Sequence, residues 1–344
     1  MDYIISAITT IFSTSFVTMA ITKGISLLYG ALGEMMTEKA GNMNLGIPGI
    51  MYMGAVGGIF GAYMYENNWS SSFSPFLAIL VALAFCLLFS MLGGLIYSFL
   101  TITLKANQNV TGLALTTFGT GFANFLGGSL AKLSGNDGLA VVVRKTGKAF
   151  KTTLPFYEPM ANSNSGFLKT VGEVLFSYGF LTYVCIALAI GLAFVFNKTR
   201  WGLNLRAVGE NPAAADAAGV NVNAYKYIAT MAGSAVAGIG GMYFVMERIS
   251  GVWQNNALGD TGWLAVALVI FALWRPGRAI WGSLLFGGLC VLGTCMNVPD
   301  QTKEIVRMLP YIMTVLVLVV TSLRKRREDQ PPQSLGLSYF REER

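Results

Sequence analysis

The sequence predicts an all-α polytopic membrane protein, and three observations carry that reading. Charged residues make up 12% of the 344, about half the share usual in a soluble domain. Hydrophobic residues reach 54% and mean hydropathy is +0.57, so polar side chains cannot cover a water-facing surface. The apolar residues also gather in runs long enough to cross a bilayer, and none of the ten-residue alternating segments of a β-barrel is present. Histidine is absent, which excludes imidazole acid–base catalysis, histidine metal sites and imidazole proton switching. Cys86, Cys185, Cys290 and Cys295 lie inside apolar runs without a CxxC pair and read as small buried hydrophobes.

A hydrocarbon core of about 30 Å takes roughly 20 helical residues. Full-length candidates are 3–21, 47–65, 75–104, 178–197, 224–246, 280–296 and 305–323. Shorter or glycine-interrupted candidates are 24–36, 110–130 and 261–274, which brings the expected crossings and re-entrant pieces to about ten. With both termini inside, the inner segments hold 14 of the 24 Lys and Arg, from Lys39 through Arg275 and Arg278 to the basic tail. The short outer segments hold four, Lys23, Arg248, Lys303 and Arg307. Because basic residues concentrate in cytoplasmic loops, the expectation is N-in and C-in. No basic region precedes the first apolar run and no small-residue site ends it, so no cleaved signal is expected. Two pieces fall outside the spans. Residues 132–175 read as an external insert with Gly, Asn and Pro turns. Residues 324–344 open on RKRRED and hold too little apolar material to fold alone, so a basic, disordered tail is expected there.

Three regions are too polar or too broken for passive lipid-facing helix. In 30–49 an apolar segment ends at Glu34 and Glu38, a turn carrying Asn42 and Asn44 follows, and a helix reopens at Pro48. Irregular backbone at membrane depth is tolerated where it is buried or lines a cavity. The two asparagines suit capping or turn bonding, while the carboxylates suit either a pathway or a plain loop. In 116–128, Thr116, Thr117 and Asn124 add hydrogen-bonding groups to small residues, and Phe118, Phe122 and Phe125 recur at helical spacing. That pattern suits helix packing, or a lining that stacks rings on a planar solute. In 198–220, Asn211 is an N-cap, Pro212 suits the first helical position, Ala213 and Ala214 begin an alanine run, and Gly219 suits the residue past the end. A helix of about two turns is therefore expected, too weakly apolar to anchor in headgroups and smooth enough to seat in another protein's groove.

These residues bring in a family. LRAVGENPAAADAAGVNV, 205–222, resembles the cytoplasmic coupling segment of ABC-importer permeases in the ribose and branched-chain amino-acid permease superfamily. Gly33 to Gly46 resembles its G-E-x-x-x-E-(KR)-A-G-x-x-N-L-G signature, and Gly262 to Pro276 resembles its late G-(FW)-x-A-(LV)-A-(LV)-x-I-F-(GA)-x-W-x-P segment. The wording is nearest the branch serving nucleoside uptake with a basic-membrane-protein-type binding lipoprotein. Two departures stand out: Pro48 replaces a Glu usual in relatives, and the 132–175 insert is long.

The resemblance implies a transmembrane permease domain over 1–323 and a multi-pass place in a bacterial inner membrane. It implies no catalysis and no cofactor or metal held by this chain, ATP and Mg2+ being used by a separate ATP-binding subunit; the sequence has no G-x-x-x-x-G-K-[ST] loop. Coupling to that subunit falls on Arg206, Gly209, Glu210, Asn211, Pro212, Ala213, Ala214, Asp216 and Gly219. The pathway candidates are Glu34, Asn42, Asn44, Thr116, Thr117, Phe118, Phe122 and Asn124. Further implied partners are a second permease in a heterodimer, an extracellular solute-binding lipoprotein, a nucleoside-type solute and the lipid bilayer, with no nucleic acid. An ion-coupled transporter or channel is the alternative, and a membrane-embedded enzyme a more distant one. Against the first, Glu34, Glu38, Glu247, Arg248 and Asp260 fall near expected helix ends, where water relieves them. Nearly neutral spans favour an uncharged solute.

Overall fold

A computed structural model describes residues 13–69, 73–135, 140–163, 165–295, 300–324 and 330–341. Helix α1 (Thr14–Lys39) begins at Ser13, whose side chain accepts from the Phe16 amide. Every residue from Gly24 to Glu38 is buried, which makes α1 the axle of the bundle. The expected break between 21 and 24 does not occur. Lys23 donates to the Thr261 hydroxyl at 2.7 Å and lies over the Phe244 ring, so its charge does not end the helix. Gly24 is where the backbone of a neighbouring helix at Ser283 passes, leaving no room for a Cβ. The greater part of the expected 3–21 span lies outside the described residues.

Helix α2 (Ile47–Met64) is buried on all sides through Ile59, the pattern of an element enclosed by others. Helix α3 (Pro75–Ser98) buries one stripe, Ala78, Ala82, Cys86, Ser90 and Gly94, and turns Phe76, Leu80, Leu88 and Leu95 outward. Helix α4 (Gln108–Leu133) follows. The insert then folds as β1 (Val141–Val142), α5 (Arg144–Phe150), α6 (Tyr157–Ala161) and α7 (Gly166–Phe176). Helix α8 (Phe180–Lys198) again buries a stripe, Leu181, Cys185 and Ala189, and exposes Val184, Ile190 and Phe194. Large apolar side chains facing outward in rows mark surfaces for lipid or another subunit.

After α9 (Arg200–Glu210) and α10 (Pro212–Ala217) comes α11 (Val222–Tyr243), which crosses α1 and α2 at glycines. A Cβ on Gly233 would lie 2.3 Å from the Gly33 carbonyl oxygen, and one on Gly54 2.4 Å from the Gly238 Cα. Backbones this close are the small-residue packing that apolar solvent favours. Strand β2 (Val252–Trp253) pairs antiparallel with β1, with Val141 opposite Trp253. Helices α12 (Thr261–Ala272), α13 (Pro276–Cys295), α14 (Asp300–Arg307) and α15 (Leu309–Arg324) complete the chain, and α1 packs against α11, α12 and α13.

Among the described residues, six helices have the length and composition to cross a membrane, and α12 and the apolar part of α15 are shorter. Helix α4 has 26 residues but is not among the six, because its threonines, asparagines and glycines dilute it. The inter-helix residues separate into two ends. Lys39, Arg206, Glu210, Arg275 and Arg278 line one cavity of about 700 Å³ at the basic end. At the other end Glu66 accepts from the Thr146 amide and hydroxyl at 2.6 and 2.7 Å, pinning the insert to the end of α2. There too, Glu247 sets its carboxyl against Gly179 at the start of α8, where the helix N-terminus favours negative charge.

Candidate functional site

The coupling segment forms a helical corner at the basic end. The Thr199 side chain caps α9 through the Gly202 amide at 3.1 Å, so the basic stretch before the alanine run is itself helical. Its inner face holds Gly202, Leu205, Val208 and Gly209, while Arg206 and Glu210 are exposed. Gly209 sits hard against α1: a Cβ would meet the Lys39 carbonyl at 2.3 Å. Asn211 turns the chain, its side chain accepting from the Ala214 amide at 3.0 Å, and Pro212 opens α10. Gly219, at φ +83°, ends it. Ala215 faces inward to Val208 and Val222. Ala213, Ala214, Ala217 and Ala218 face out, a smooth convex surface held from behind. Asp216 accepts from the Tyr339 hydroxyl at 2.9 Å and pairs with Arg341 at 3.2 Å.

The polar turn after α1 is built into the bundle. Asn42 donates to Thr230 at 3.3 Å, and the Asn44 side-chain oxygen accepts from the Gly46 amide at 3.0 Å. Both are buried and bond the turn and α11. Glu38 accepts from the Trp274 indole, so the early and late sequence motifs touch. Glu34 is fully buried with no hydrogen-bond partner at either carboxyl oxygen. It shares a cavity of about 370 Å³ with Glu38, Leu45, Ile270, Trp274 and Leu318. The expectation that water relieves the ionisable groups at helix ends therefore holds for the exposed Arg248 and Asp260 but not for Glu34, Glu38 and Glu247, which are buried inside the bundle. The buried ionisable side chains of the spans are enclosed by helix contacts.

Helix α4 presents two opposite faces. Leu115, Gly119, Ala123 and Gly127 pack inward, where the Thr116 hydroxyl donates to the Leu45 carbonyl at 2.7 Å. Thr117 and Phe118 face out, Thr117 bonding back to Leu113 of its own helix, and Phe118 stacks on Phe122 with centroids 6.0 Å apart. Phe122 in turn packs on Phe89. Asn124 forms a reciprocal amide pair with Asn256, donating at 2.9 Å and accepting from its backbone at 3.0 Å. The α4 candidates and the Glu34 cavity are thus not brought together, apart from Leu45, which touches both. Sequence reading missed Trp274, Gln108, Asn256, Ser334 and Tyr339, whose partners are between 65 and 236 positions distant. A tyrosine and a serine in a tail otherwise poor in apolar residues were the faint signal for the last two.

The family match and the relatives of this multi-pass helical bundle define its class, the permease subunit of an ABC transporter. The chain belongs to the family described as branched-chain amino acid transport system / permease component, whose model matches residues 16–318. It is 32% identical over 82% of its length, and 77% of the relative's, to TsgC13 of Haloferax volcanii, provisionally named a glucose ABC transporter permease protein. It is 28% identical to the guanosine ABC transporter permease protein NupQ of Bacillus subtilis over 92% of this chain and 94% of that one. Against the nucleoside ABC transporter permease protein NupC of Lactococcus lactis the identity is 29%, covering 86% and 88%.

Proposed function

We propose that this permease subunit carries an uncharged, polyhydroxylated solute, a nucleoside first of all, inward across the membrane. In this reading the basic end is cytoplasmic and the outward alanines of α10 seat in an ATP-binding subunit. A second, related permease covers an outward apolar face, and an extracellular binding protein delivers solute to the insert side. The observation that carries the reading is the exposed face of Ala213, Ala214, Ala217 and Ala218, braced by a buried Ala215. Such a surface stands open among the described residues and fits a groove in a partner. The solute class is supported by the names of two relatives, which give guanosine and nucleosides, and by the third, which gives glucose. All three are uncharged and rich in hydroxyls.

The test is uptake of radiolabelled guanosine, uridine, glucose and leucine by vesicles carrying the complete complex. ATP-dependent accumulation of the nucleosides, competed by unlabelled nucleoside and insensitive to leucine, is expected. Accumulation of glucose in their place overturns the nucleoside assignment, and accumulation of leucine overturns the solute class. Accumulation that follows an ion gradient in the absence of ATP overturns the drive.

A further inference from the structure

Residues 330–341 do not hang free of the bundle. The Ser334 amide and hydroxyl both donate to the Gly209 carbonyl, at 3.0 and 2.5 Å. Two residues on, the Gly336 amide donates to the Gly41 carbonyl at 3.3 Å. The Leu337 carbonyl accepts from the Gln108 side chain, whose own oxygen holds the Met43 amide at 2.6 Å. Tyr339 then reaches Asp216, and its ring joins the cluster of Val208, Ala215 and Val222 behind α10. Lys105 lies over the Phe340 ring at 4.2 Å. Pro332 and Ser334 are buried.

These contacts solve a mechanical problem. Helix α10 has six residues, of which Ala215 alone is buried. A helix that short is not stable by itself. A push on its outer face would tilt it unless something braced it against the bundle. The tail provides the brace: it grips the coupling segment at Gly209 and Asp216 and grips the bundle at Gly41, beyond α1, and at Gln108, the start of α4.

We propose that residues 330–341 form a strap that holds the coupling helix to the bundle, with Ser334 and Tyr339 as positioning residues. The strap makes displacement of α10 a displacement of the α1–α2 turn and of α4. The inference rests on the permease reading for its functional consequence, but its geometry stands apart from any solute.

Two variants test it in the assembled complex reconstituted in proteoliposomes: Ser334→Ala/Tyr339→Phe, and a chain ended after Gln330. ATP hydrolysis and solute uptake are measured together. The expected result is an ATP-binding subunit that still copurifies and hydrolyses ATP, with uptake per ATP reduced about fivefold or more, a coupling loss of ordinary size. A fold defect lowers both rates and leaves the ratio alone. An unchanged ratio at undiminished ATP hydrolysis overturns the proposal, and so does loss of copurification in both variants, which would make the tail a docking piece. A second measurement needs neither ATP nor solute. Ser334→Cys is labelled with a maleimide in the purified complex and followed on its peptide by mass spectrometry. Slow labelling that rises about tenfold when Tyr339→Phe is added is expected, as a held segment opens locally once a restraint is lost. Fast labelling of Cys at 334 without Tyr339→Phe overturns the strap. Slow labelling beside a complex without ATP-driven uptake would instead count against the permease reading and leave the strap standing.

Discussion

Gly119 and Gly121 stand two positions apart on α4 and face opposite ways. A Cβ at 119 would lie 2.5 Å from the Gly49 carbonyl, whereas at 121 there is nothing within 4 Å. Gly119→Val is therefore expected to cost about 1–3 kcal/mol or more, because backbone cannot move aside as a side chain can. Gly121→Ala is expected to be neutral or to stabilise by up to about 1 kcal/mol, the helix-propensity difference. Thermal unfolding of both in detergent decides the matter; equal melting temperatures would mean that α4 does not lie against α2 as described. Asn124 gives a second residue-scale expectation. Its amide pairs with Asn256, a residue at φ +57° in the turn before α12. Asn256 is exposed and water can replace the lost bond, so Asn124→Leu is expected to lower stability by no more than about 0.5–1.5 kcal/mol, with the rank order of transported solutes unchanged. A changed order at unchanged stability would return Asn124 to the pathway.

At the scale of elements, what could be read from the sequence was what depends on neighbours in the chain. The N-cap Asn211, the opening Pro212 and the terminal Gly219 delimit α10 within about two residues, because each acts on backbone groups three or four positions away. That α3 and α8 are long and apolar enough to cross a membrane follows from length and hydropathy in the same way. The continuity of α1 through Lys23 and Gly24 was not legible, since Thr261, Phe244 and Ser283 resolve that polar step from far along the chain. The fold of the tail was hidden for the same reason. The burial of Glu34 was hidden too, because a carboxylate one turn from a helix end looks solvated until other helices close over it. The corner also sharpens the choice of coupling variant. Gly209→Arg would force a side chain into the Lys39 carbonyl and is expected to lose folded protein. Ala214→Arg points outward. It is expected to leave the amount in the membrane within about twofold while ATP-driven uptake falls at least tenfold, the scale of a lost interfacial anchor of roughly 1.4 kcal/mol or more. Western blotting of membranes beside the uptake assay separates the two, and normal uptake with Ala214→Arg would remove α10 from the docking surface.

For the whole molecule, the distribution of charge implies an orientation. Lys39, Arg206 and the pair Arg275 and Arg278 come from three separate stretches of the sequence, yet they line a single cavity at one end of the bundle. Lys151 and Arg248 share a cavity at the other end. The basic cavity thus lies with α10 and the tail at one end, and the 132–175 insert, which carries six further Lys and Arg, lies opposite. Short basic segments resist transfer across the bilayer during insertion and long loops count for little, so the basic end is expected to face the cytoplasm. In that orientation the alanine face of α10 is expected on the side where ATP is available and the insert on the side where solute arrives. Single cysteines at exposed positions test this directly: Ala213→Cys and Arg278→Cys at the basic end, Lys169→Cys in α7. A membrane-impermeant maleimide applied to intact cells is expected to label the Lys169→Cys protein and to reach the other two only after permeabilisation. Labelling of Ala213→Cys in intact cells would turn the molecule over, and with it the direction in which an ATP-binding subunit could act on α10.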